Sequence, residues 1–97
     1  MEAGERVETI LDLGWCRLTQ VIGSSPPRVE VLIRAFRPGE PVVGNFMVTL
    51  GDLVERMSMI GLELTFDGEG WLWGSVEVDE GRERLMLIQQ MLLSCPR

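Results

Sequence analysis

The 97-residue chain contains no His, no Lys and no Tyr. The commonest general base, the usual Schiff-base amine and the phenolic acid are therefore missing, and most catalytic constellations cannot be assembled. Cysteine is scarce as well. Cys16 and Cys95 are the only two, too few and too widely separated for a zinc or redox motif. They read as two buried thiols, or as a disulfide if the first strand lies against the last helix. With no His partner, Cys16 has only Arg17 nearby to favour a thiolate. Paired carboxylates perform acid–base chemistry in glycosidases, but a chain this small offers little volume for the cleft they require. The expectation is no enzyme, no catalytic residue and no cofactor.

Long apolar runs are also lacking. None approaches the roughly 18 residues of a membrane span, and the acidic start Met1-Glu2-Ala3-Gly4-Glu5 has no apolar core of a secretory signal. These readings give one cytoplasmic domain over residues 1–97. Fifteen acids against nine basic residues leave a net charge of −6, which disfavours nucleic acid and anionic membranes as partners, because both select basic patches. Hydrophobic residues make up 45% and charged residues 25%, an ordinary globular balance that argues against disorder.

No metal or phosphate motif compensates for the missing residues. Asp67 and Glu69 stand in a Gly-rich turn, but an EF-hand needs a longer ligand series. Gly68-Glu69-Gly70 lacks the further glycine, the Lys and the following helix of a phosphate loop. The glycines there are explained by a turn.

Periodicity supplies the rest. Val7, Ile10 and Leu11 recur at helical spacing from Glu5, with Gly14 where a C-cap would fall. Trp15–Ile22 reads as a strand with Cys16, Leu18 and Ile22 on one face. Gly23-Ser24-Ser25-Pro26-Pro27 breaks the chain. From Val29 to Arg37, Val29, Val31, Ile33 and Ala35 alternate with Glu30, Leu32, Arg34 and Phe36. Pro38-Gly39-Glu40-Pro41 is a turn, and Val42–Val48 a third strand. A helix then starts with Thr49 as N-cap, carries Leu50, Leu53, Val54, Met57 and Ile60 on one stripe, and stops at Gly61. Leu62, Leu64 and Phe66 form one face of a strand that turns at Asp67–Gly70 into Trp71–Val78. Asp79 caps a last helix from about Glu80 to Ser94.

The fold class that follows is α+β: a mostly antiparallel five-stranded sheet with helices packed on one face, in the order α-β-β-β-α-β-β-α. This order, together with the acidic charge, resembles class I type III secretion chaperones, which are also small, acidic and dimeric. The resemblance spans the whole chain through topology and charge, and it assigns no residue a role.

Two features point to a binding function. The last helix is apolar around about 260° of its circumference, whereas covering a core from one side takes little more than 100°. Met86, Leu87, Ile88, Met91 and Leu92 are therefore expected at a homodimer interface, with a heterologous partner or burial within the chain as alternatives. In the final hairpin, Leu72, Val76 and Val78 share the core parity, so Trp71 and Trp73 face the other way, joined by Trp15 if Cys16 points inward. Trp is enriched where interfaces bind most strongly, and these three are the expected partner-binding residues unless a helix covers them or the parity is reversed. The sequence thus reads as a non-enzymatic acidic protein-binding module, chaperone- or adaptor-like and homodimeric. The rival reading is a small inhibitor, phage-encoded or of the immunity type, that blocks a basic site on a host protein or toxin.

Overall fold

The computed structural model describes residues 4–23, 26–35, 44–78 and 82–95, with residues 44–49 described by their backbone. Among the described residues seven elements follow one another: β1 (Arg6–Asp12), β2 (Cys16–Ile22), β3 (Arg28–Arg34), α1 (Gly44–Met59), β4 (Thr65–Phe66), β5 (Trp71–Glu77) and α2 (Glu83–Ser94). The strands make one antiparallel sheet in the order β1-β2-β3-β5-β4. The expected class and strand number are found, but the element order is β-β-β-α-β-β-α.

Two segments exchange their expected states. The N-terminal helix is strand β1, and residues 44–48 of the third strand belong to α1. A β-bulge explains the first exchange. The β1–β2 register shifts between Thr9 and Leu11, so adjacent Ile10 and Leu11 both pack toward the core, and the apolar spacing imitates a helix. Helix α1 consequently begins five residues before its expected cap, and Thr49 lies inside it. With a strand where the leading helix was expected, the order no longer matches the one that carried the likeness to type III secretion chaperones. The turn at Pro38–Pro41, Phe36 and Arg37, Ser24 and Ser25, Val42 and Val43, and the cap at Asp79 all lie outside the described residues.

Turn chemistry fixes the corners. Gly14, at φ +85°, serves a hairpin rather than a helix end; its N–H donates to Asp12 Oδ1 at 2.9 Å, and Asp12 Oδ2 accepts from Arg17 Nε at 3.3 Å. In the β4–β5 turn, Asp67 Oδ1 accepts the N–H groups of Glu69 (2.7 Å) and Trp71 (3.1 Å), an Asx turn that needs no metal. Helix α1 ends in a Schellman arrangement. The Leu62 N–H donates to Met57 O at 2.9 Å and the Gly61 N–H to Ser58 O at 3.0 Å. Helix α2 starts later than expected, after Arg82, which adopts a left-handed φ of 58° and makes no side-chain cap.

Both helices pack on one sheet face. Cys16, Leu18, Val29, Val31 and Ile33 from the sheet join Leu50, Leu53 and Met57 of α1 and Leu85, Ile88 and Leu92 of α2 in a single buried cluster. The strand register then assigns the alternate residues to an outer face, on which neither helix packs among the described residues.

Candidate functional site

The outer face is built by β3 and β5. Their register sets Glu30 opposite Ser75, Leu32 opposite Trp73 and Arg34 opposite Trp71. Each of these six residues alternates with a residue on the core side, because successive strand side chains point to opposite faces. Trp71 and Trp73 thus share the outer face as the sequence parity implied, about 7 Å apart along the strand, and neither belongs to the buried cluster.

Each indole is oriented by a charged group on β3. The Arg34 guanidinium lies 4.0 Å from the centroid of the Trp71 ring, a cation–π contact. Trp73 Nε1–H donates to Glu30 Oε2 at 3.3 Å, which tips that ring across Leu32 toward the carboxylate. Trp71 and Leu32 are half-buried, whereas Trp73 remains 46% exposed. The result is an apolar ridge held between a cation and an anion. Farther along the sheet Val21, whose register partners are Val7 and Arg28, is buried, while half-buried Ile22 keeps the parity of Cys16 and Leu18.

Trp15 does not join the pair. It lies in the turn ahead of β2, where strand alternation no longer sets side-chain direction, and it packs against the buried cluster. Its carbonyl accepts the Arg34 N–H at 2.7 Å, extending the β2–β3 ladder.

Helix α2 divides its apolar residues between two sides. Ile88 and Leu92 are fully buried in the core and Met91 packs against it, so three of the five residues expected at a dimer interface are turned into the chain itself. Met86 (55% exposed) and Leu87 face outward, and Leu93 joins them. At 100° per residue, Met86, Gln90 and Leu93 lie within about 60° of one another, opposite Ile88 and Leu92. The wide apolar arc is a core stripe plus a separate exposed strip.

Sequence parity sets Glu30, Leu32 and Arg34 on one side of β3 but does not bring them to the two indoles. That juxtaposition depends on β3 pairing with β5 across 43 residues of chain, a long-range register with no local signal. Among the described residues no three His, Cys, Asp or Glu side chains converge to hold a metal ion, and no helix is long and apolar enough to cross a membrane. No protein-family model matches the chain, and neither a curated protein nor a solved structure shows significant similarity to it.

Proposed function

We propose that this chain is a non-enzymatic protein-binding module, chaperone- or adaptor-like, that acts as a homodimer. The observation carrying the reading is the outer sheet face, with Trp73, Leu32 and Trp71 aligned between Glu30 and Arg34 on the side opposite both helices. Aromatic residues that are fixed by neighbours lose little conformational freedom when a partner covers them, which is why they dominate binding energy at interfaces. The absence of His, Lys and Tyr from the sequence supports binding over catalysis. Met86, Leu87 and Leu93 on α2 provide a second, smaller apolar surface.

Affinity capture with the tagged chain tests the reading. Trp73→Ala is expected to lose captured proteins that a Met86→Ser/Leu87→Ser variant retains, with both variants folded. Capture profiles indistinguishable among wild type and the two variants would remove the outer face as a binding surface.

A further inference from the structure

The outer face carries a charge pattern that is its own complement. Along β3, Leu32 stands midway between Glu30 and Arg34, each about 7 Å away along the strand. Isologous contact between two copies of this face requires a twofold axis in the plane between the sheets, and packing with the strands aligned places it either along or across them. An axis along the strands reverses the strand order. Over β3 it sets Glu30 against Glu30 and Arg34 against Arg34 and carries β5 over β2. Midway between β3 and β5 it sets Glu30 against Ser75 and Arg34 against Trp71, so neither position pairs opposite charges. An axis across the strands reverses one copy, so that Leu32 meets Leu32 and each Glu30 meets an Arg34.

Shape selects the same orientation. On β5, Trp71 and Ser75 flank Trp73, level with Arg34 and Glu30 respectively. Reversal lays each large Trp71 ring over the small Ser75 of the other copy and brings Trp73 onto Trp73. An axis along β5 would instead stack Trp71 on Trp71 and leave a gap between the two Ser75 side chains.

We infer that a second copy of this chain docks on the outer face about a twofold axis that crosses the strands at Leu32, pairing each Glu30 with an Arg34. The inference rests on the protein-binding reading of this face. Four seven-residue strands span about 19 by 23 Å, which places the contact at the small end of specific interfaces and makes the dimer a reversible one. The net charge of −6 per chain opposes association, so the crossed pairs offset a general repulsion as well as setting the register.

The test is a charge swap read by sedimentation equilibrium of the full chain over a wide concentration range. Wild type is expected to dimerise; Glu30→Arg and Arg34→Glu, each placing like charges together twice, are expected to weaken the dimer by about tenfold or more. The double swap E30R/R34E restores both crossed pairs and is expected to recover association to within a few-fold of wild type. Far-UV circular dichroism checks that each variant folds. Should a swap variant unfold, treating a mixture of Glu30→Cys and Arg34→Cys chains with a short bifunctional maleimide, which bridges the about 10 Å between facing sheets, decides the same point: a 30-to-34 cross-link identified by mass spectrometry supports the geometry, and only like-to-like links overturn it. A wild-type monomer at every concentration, or a dimer indifferent to the single swaps, also overturns it. If wild type is monomeric while Trp73→Ala still loses a captured protein, the dimer fails and the binding face stands.

Discussion

The carbonyl oxygen of Glu63 passes 2.6 Å from the point where a Cβ on Gly74 would lie. Gly74 is opposite Val31 on the inner side of β5, and its missing side chain is what lets the segment leaving α1 cross the sheet there. Leu62 Cδ2 and Leu64 Cδ2 come within 2.7 and 3.0 Å of the same point, so the crossing chain and two core side chains all use the space. This close crossing precedes β4, which pairs with β5 at only two positions.

Gly74→Ala is accordingly expected to destabilise the fold. The first obstruction is backbone, not the end of a flexible side chain, so relief requires moving the crossing segment. Overpacking of this kind costs about 1–3 kcal/mol, and a domain of this size should lose at least about 4 °C in Tm. Thermal denaturation followed by circular dichroism measures it; an unchanged Tm would show that the 62–64 crossing yields without cost.

Helix α2 offers a comparison within one element. Ile88 is fully buried and Met86 is 55% exposed, two residues apart. Ile88→Ala removes methyl groups from a packed core and is expected to cost about 2–5 kcal/mol. Met86→Ser removes apolar surface already in water and is expected to stay within about 0.5 kcal/mol. Urea unfolding of both variants separates them. Equal costs would mean that Met86 is covered in solution, which would point to an interface on the exposed strip.

The core face was legible wherever the chain follows one periodicity. Val29, Val31 and Ile33 read inward by simple alternation, and Leu50, Leu53 and Met57 by helical spacing. Legibility failed where local pattern and tertiary pairing diverge. At Ile10–Leu11 the bulge supplies two successive core-facing residues, and the i, i+3, i+4 spacing it creates is indistinguishable in sequence from a helix face. Residues 44–48 include Phe46 and Val48, types that favour strands, yet they extend a helix whose C-terminal half is anchored in the core. Propensity is a weak prior beside such packing. The candidate site was half legible for a related reason. Parity separated Trp71 and Trp73 from the core, but their neighbours Glu30, Leu32 and Arg34 reach them only through strand pairing distant in sequence.

Arg34 and Trp71 form the contact on the outer face most open to direct measurement. The guanidinium sits over the ring at 4.0 Å, and an exposed cation–π pair contributes about 0.5–1 kcal/mol. Arg34→Ala is expected to lower stability by that amount in wild type and by much less in a Trp71→Leu background. A double-mutant cycle in urea isolates the coupling. Coupling near zero would mean that Arg34 leaves the ring in solution, and the cation would then not be held in place beside the indole.

The two thiols should differ in reactivity. Cys16 opens β2 inside the buried cluster at 2% exposure, whereas Cys95 is half-buried just past α2, and the two form no disulfide. The Cys95 N–H makes a weak 3.4 Å bond to Leu92 O, and helix ends open at far lower free energy than a central strand. An aromatic disulfide reagent at neutral pH is therefore expected to label Cys95 within the time of local fraying and Cys16 only as fast as the sheet unfolds, so that denaturant accelerates the second phase alone. Rapid labelling of both would place a local opening at the β1–β2 hairpin. It would also reopen the reading of Cys16 as an inert core thiol, since a reactive cysteine needs access as well as a favourable charge nearby.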